Sequence, residues 1–244
     1  MVFGNIAKRK VLLMKPIIKV EKMSKHFGSG NKKVEIFDEV DLSIERNQLI
    51  GIKGRSGSGK TTLLNIFGAL DQPSSGEIYI EEQLINSLDN KQRSELRRTK
   101  MGFVFQSYGL VPLMTVEENI EFGLRIANIP RDERAKKIKQ SAELVGLSKR
   151  LQHRPFELSG GEQQRVAIAR AIATGPSIIL ADEPTAELDT KTGFSIIQAF
   201  HELVKNAQTT IIMTTHDEEI LNLIEHVYAL EDKKIAYDKK EIIV

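Results

Sequence analysis

Apolar positions in the first fifty residues come in short runs: Ile17 to Val20, Val34 to Phe37, Val40 to Ile44 and Leu49 to Ile52. Turn-forming stretches such as Gly28-Ser29-Gly30-Asn31 and Arg46-Asn47 separate them, a pattern of strands joined by turns. The spacing then changes to a helical one from Thr61 to Leu70, with Leu63, Leu64, Ile66, Phe67 and Leu70 on the side expected to pack. From about Gln92 to Leu158 the chain is more charged and more helical in period. Thr115-Val116-Glu117-Glu118 predicts a capping box, in which the threonine and the second glutamate each satisfy an orphan amide. Pro130 precedes a basic amphipathic helix over roughly Asp132 to Val145, which Gly146 can end; Arg134, Lys136, Lys137 and Lys139 form its solvated face. In the last third, Ile178-Ile179-Leu180-Ala181 and Thr210-Ile211-Ile212-Met213 are unbroken apolar runs, expected of strands buried on both faces of a parallel sheet. The pattern predicts an α/β protein: a parallel core interrupted by an inserted, mainly helical subdomain.

Composition narrows this little. The 244 residues are 41% hydrophobic and 28% charged, with 35 basic against 33 acidic residues, so no overall field points to nucleic acid. With no cysteine, disulfides and thiolate metal sites are excluded, which fits a reducing cytosol. No apolar run approaches the roughly 20 residues that cross a bilayer. Val11-Leu12-Leu13-Met14 is too short for a signal-peptide core, so residues 1–16 read as a flexible leader and any link to a membrane is expected through another polypeptide.

The chemistry begins at Gly54-Arg55-Ser56-Gly57-Ser58-Gly59-Lys60-Thr61, between a predicted strand and a predicted helix. This is the full context of a phosphate-binding P-loop. The glycines let backbone N–H groups turn inward to phosphate oxygens, and the following helix adds its positive end, with Thr62 in its first turn. Lys60 supplies a mobile charge for the β- and γ-phosphates of ATP, and Thr61 a hydroxyl for Mg²⁺. A merely structural turn would account for the glycines but not for Lys-Thr at that spacing.

A second cluster, Asp182-Glu183, lies just past a buried strand, at the edge of an α/β sheet where ligands bind. Alone, two adjacent acids on a loop would be solvated surface. Downstream of a P-loop, Asp182 is suited to Mg²⁺, and Glu183 to orienting and deprotonating the attacking water.

At Leu158-Ser159-Gly160-Gly161-Glu162-Gln163-Gln164 the sequence resembles the ATP-binding cassette (ABC) ATPases, whose LSGGQ signature it nearly matches. Ser159 to Glu162 is also a capping box opening a helix that ends near Gly175-Pro176. The resemblance runs from Ile17 onward and implies one ATPase domain over 17–244, with a core of 17–100 and 165–244, an N-terminal antiparallel β part and a helical subdomain of about 101–164. It implies that Ser159, Gly160 and Gly161 complete the ATP site of a second copy, so that two cassettes sandwich two nucleotides. It implies further roles: Phe27 stacks on adenine, Gln106 contacts Mg²⁺ and couples core to helical subdomain, Ala186-Glu187-Leu188-Asp189 communicates across the dimer, and His216 touches the γ-phosphate. The histidines at 26, 153, 201 and 226 have no such context.

There are departures. Asn47-Gln48 replaces the family's Gly-Glu turn, tolerable because asparagine accepts positive φ. Glu162 replaces glutamine while preserving the cap, and Glu187 adds a charge in the dimer-facing loop. Gly-Phe-Val-Phe-Gln-Ser-Tyr-Gly-Leu (102–110) and Leu-Ala-Asp-Glu-Pro-Thr (180–185) are similar to the lipoprotein-releasing and macrolide-exporting branch, which also holds cell-division ATPases. The resemblance implies a cytoplasmic subunit, peripheral on the inner membrane face, driving a separate permease. The alternative is an ABC-type regulator of a non-transporting membrane partner. An ABC ATPase acting on DNA or ribosomes is set aside, because such relatives carry two cassettes or a long coiled-coil insert.

Overall fold

The computed structural model describes residues 15–238; residues 1–14 of the expected leader lie outside them. Four strands, β1 (Ile18–Phe27), β2 (Val34–Ile44), β4 (Ser75–Ile80) and β5 (Gln83–Leu84), form an antiparallel sheet in the order β2-β1-β4-β5. The larger sheet holds β3 (Leu49–Lys53), β6 (Met101–Val104), β7 (Ile178–Asp182), β8 (Thr210–Thr214), β9 (His226–Glu231) and β10 (Lys234–Asp238). Its order is β10-β9-β3-β8-β7-β6, parallel throughout except for the hairpin strand β10.

The unbroken apolar runs have the predicted cause: both faces of the mixed sheet are covered. Ile50, Ile52, Ile178, Leu180 and Ile212 face the antiparallel sheet, meeting Ile18, Val20, Phe37, Ile78 and the helix α1 (Lys60–Phe67). Leu49, Ile179, Ala181, Ile211 and Met213 face the other way, into a layer built by α3 (Val116–Ile126), α4 (Arg131–Leu144), α5 (Gly160–Ile172), α6 (Thr190–Ala207) and α7 (Glu218–Leu221). Each fully buried isoleucine or phenylalanine contributes about 1.5–3 kcal/mol relative to exposure. The sheet is thereby fixed between two apolar layers, and the carboxyl ends of β3, β7 and β8 emerge along one edge.

Local signals were read correctly where a cap defined them. Thr115 Oγ1 accepts from the Glu118 amide at 3.2 Å while Glu118 Oε2 accepts from the Thr115 amide at 2.8 Å, starting α3. Asn47 takes φ 58°, as its turn requires, and Gly146 (φ 72°) follows α4. Other expectations change. The two runs Val34–Phe37 and Val40–Ile44 are one strand, irregular at Glu39 (φ 44°), because β1 pairs with both halves. α1 stops at Phe67: Ala69 turns left-handed (φ 50°) and Leu70 is half exposed rather than packed. The segment expected to open the helical subdomain at 101 begins with β6, a core strand hydrogen-bonded to β7. Four residues following the highly charged helix α2 (Asn90–Lys100) are too short to show a period.

Candidate active site

Between β3 and α1 the loop from Gly54 to Gly59 is held tightly. A Cβ on Gly54 would meet Ser58 Oγ at 2.6 Å and the Leu230 carbonyl at 2.9 Å; one on Gly59, where φ is 103°, would meet Ile36 Cγ2 at 2.5 Å. The loop is therefore wedged between β9 and β2, and only glycine fits there. Arg55, Ser56 and Gly57 lie exposed at its crest, and Thr62 is partly buried in the first turn of α1. Lys60 curls back over the loop, donating to the carbonyls of Gly54 (2.9 Å) and Arg55 (3.4 Å). Ser58 Oγ, buried beneath it, has no hydrogen-bond partner among the described residues.

The acids close the other side. Asp182 ends β7 directly opposite Thr214, the last residue of β8. Its Oδ1 accepts from Thr214 Oγ1 at 2.7 Å and its Oδ2 from Thr61 Oγ1 at 2.8 Å, so two hydroxyls orient the carboxylate. Thr214 also accepts from the Glu183 amide at 3.0 Å. Glu183 adopts a left-handed backbone (φ 47°), a conformation that costs about 1–3 kcal/mol in a non-glycine residue and is held only by its surroundings. Its carboxylate lies 3.7 Å from Lys60 Nζ through one oxygen and 3.0 Å from His216 Nδ1 through the other. Glu183 and Lys60 are largely buried, whereas the His216 ring is open to solvent. Lys60, Thr61, Asp182, Glu183 and His216 thus meet at the carboxyl edge of the sheet.

The remaining predicted residues lie elsewhere. Ser159 caps α5, accepting from the Glu162 amide at 3.3 Å, and Glu162 Oε2 accepts from the Ser159 amide at 3.0 Å. Arg150 adds a 2.8 Å bond to the same glutamate. A Cβ on Gly160 would lie 3.0 Å from Tyr108 Oη, and one on Gly161 2.6 Å from Thr192 Cγ2, so this turn sits against the start of α6. Among the described residues no hydrogen bond or ion pair joins 159–162 to the P-loop. Gln106 is exposed just past β6 and Phe27 is 46% exposed at the end of β1; among the described residues neither makes a hydrogen bond or ion pair to the cluster.

Two structural residues were missed. Thr214 is fully buried, and a hydroxyl at the end of an apolar run was the available signal. Arg170 of α5 donates to the carbonyls of Tyr108 (2.9 Å) and Gly109, tying the turn after Gln106 to the helix that Ser159 caps. Burial raises the Tyr108 phenol's pKa, and the Glu187 carboxylate adds to the rise. Nothing in the local sequence marked the long-range contacts of Arg170.

A family model described as ABC transporter matches residues 37–186. The chain is 44% identical over 216 residues to the lipoprotein-releasing system ATP-binding protein LolD of Saccharophagus degradans, covering 88% of this chain and 95% of that protein. It is 40% identical over 225 residues to the macrolide export ATP-binding/permease protein MacB of Aggregatibacter actinomycetemcomitans, covering 92% of this chain but 35% of that longer protein. Among solved structures it is similar to the ATP-binding cassette MJ0796, a dimer in a post-hydrolysis state bound to ADP and phosphate. There the TM-score is 0.83 and the identity 39%, over 91% of this chain and 98% of that one.

Proposed function

The chain belongs to the ABC transporter family as an ATP-hydrolysing subunit, and we propose that the cluster around Asp182 and Glu183 is where it cleaves the terminal phosphate of ATP. The observation that carries this reading is the meeting of a P-loop lysine, two carboxylates and a histidine at one sheet edge. Lys60 exchanges the carbonyls of Gly54 and Arg55 for β- and γ-phosphate oxygens. The loop amides from Gly57 to Thr62 take the remaining phosphate charge. Glu183 accepts the proton of the attacking water, and His216 holds Glu183 on one side while reaching the γ-phosphate.

The paired oxygens of Thr61 and Asp182 are hard donors 2.8 Å apart, a set that suits Mg²⁺ completed by phosphate and water. Thr61 and Asp182 would hold the ion, with Gln106 approaching from β6, and bound Mg²⁺ would neutralise charge on the phosphates. In this reading Ser159, Gly160 and Gly161 serve a second copy; among the described residues they make no hydrogen bond or ion pair to the P-loop of their own chain. Each nucleotide then lies between the P-loop of one protomer and the α5 start of its partner.

Among the described residues no helix is long and apolar enough to cross a membrane. We place the chain at the cytoplasmic face of the membrane, on a separate permease of the lipoprotein-releasing or macrolide-exporting kind. A groove between β6 and α3 supports this placement. It presents Leu70, Phe105, Phe122 and Ile126 to solvent, a grouping of exposed apolar side chains suited to a protein partner. Glu183→Gln tests the assignment: ATP affinity should persist, turnover should fall by about 10²-fold or more, and an ATP-bound dimer should accumulate by light scattering. Unchanged turnover would remove Glu183 as the base.

A further inference from the structure

Lys25 is an unusual lysine. It lies on β1 with its side chain only 9% exposed, although lysine is among the residues least often buried. Its ammonium donates to Asp71 Oδ1 at 2.8 Å and to the Gln72 carbonyl at 2.7 Å. It also stands 4.7 Å from the centroid of the Phe27 ring. The ammonium therefore lies over one face of the ring, and Phe27 keeps 46% of its surface exposed. The anchor is firm: the Ser74 amide donates to the Ser24 carbonyl (2.8 Å), the His26 amide to Ser74 Oγ (3.1 Å), and the Asp71 amide to Asn65 of α1 (3.1 Å). Lys25 pairs in register with Phe37, whose ring borders Gly59 of the P-loop, so this corner adjoins the phosphate cradle.

We propose that Lys25 is a positioning residue for the nucleotide base: it backs the inner face of Phe27 and leaves the outer face as the adenine platform. Two physical effects act together. The cation fixes the orientation of a half-exposed ring that would otherwise rotate freely, so less freedom is lost on binding. It also draws π density toward itself, which lowers the repulsion between the outer face and an electron-rich purine. Asp71 and Gln72 hold the ammonium in place, so the charge stays against the ring instead of extending into water. The proposal rests on the reading of Phe27 as the adenine-stacking residue.

The test is calorimetric binding of ATP and of inorganic tripolyphosphate to the full chain. Lys25→Met should weaken ATP about three- to tenfold, the scale of a partly desolvated cation–π contact, and leave tripolyphosphate affinity within about twofold. Lys25→Arg should restore most of the ATP affinity. In a Phe27→Ala background, Lys25→Met should cause no further loss. Equal weakening of ATP and tripolyphosphate, or a Lys25→Met loss that persists without Phe27, would overturn the proposal. If Phe27→Ala alone leaves ATP affinity unchanged, the stacking role of Phe27 fails and the proposal with it. If Phe27→Ala weakens ATP but Lys25→Met does not, only the Lys25 proposal fails. Should Lys25→Met not fold, Lys25→Gln keeps a donor for the Gln72 carbonyl without the charge and gives the same reading.

Discussion

The hydroxyl of Thr61 donates a 2.8 Å hydrogen bond to Asp182, joining the first turn of α1 to the last residue of β7 across 121 positions of sequence. Thr214 holds the opposite oxygen of that carboxylate, so Asp182 is fixed from two sides. Asp182→Asn keeps the shape but loses the charge and one acceptor. ATP binding should then become insensitive to added Mg²⁺, and hydrolysis should fall by about 10²-fold or more. ATP titrations with and without Mg²⁺ check this; a retained Mg²⁺ dependence would place the ion elsewhere.

If each site takes its P-loop from one protomer and its α5 turn from the other, two different defects can complement. Lys60→Ala damages the cradle, while Ser159→Arg damages the closing turn. Each variant alone should be nearly inactive. Mixed in equal amounts, they form a heterodimer with one intact composite site, so activity should return to roughly a quarter of wild type, from random pairing with one good site in each mixed dimer. No recovery on mixing would argue against the shared site.

Arg170 grips the Tyr108 and Gly109 carbonyls from within α5, and burial lowers its pKa. Arg170→Gln shortens the reach and leaves the 108–109 turn unheld. A loss of about 1–3 kcal/mol is expected for unmaking bonds from a charged donor, read as a drop of several degrees in thermal midpoint. ATPase activity should fall further than ATP affinity, because Gln106 sits on the loosened turn. Equal losses would assign Arg170 to stability alone.

Hydrogen bonds from Ser159, first its backbone amide, hold the Glu162 carboxyl below its ordinary value, with Arg150 helping. A depressed folded pKa means that the unfolded chain takes up the proton first. The contribution of Glu162 is therefore complete above the ordinary carboxylate value of 4.5 and is lost as pH falls through the folded one. Glu162→Gln should flatten that part of the acid unfolding curve and lower the neutral-pH midpoint slightly, because the carboxylate's contribution, complete at neutral pH, is gone. An acid limb identical to wild type would show that the cap does not titrate with folding.

The legible features were those written within a few residues. A glycine-rich loop between a strand and Lys60-Thr61, two acids after an apolar run and two capping boxes are local patterns, because each satisfies neighbouring backbone groups or a phosphate. They were enough to read the α/β class and the site residues to examine. The short strand β6 was not legible: four residues carry no period, and its place comes from pairing with β7. Nor was the end of α1, where the left-handed Ala69 turns Leu70 out to solvent.

By itself the sequence determined which groups are present and which helices and strands could bury an apolar face. Only the tertiary structure decided which groups meet. Thr214 reaches Asp182 because β7 and β8 are paired in register, Arg170 reaches Tyr108 because α5 packs beside β6, and Lys25 lies under Phe27 because the 71–74 segment holds its ammonium there. Such contacts depend on register and layer packing, which no short stretch of sequence encodes.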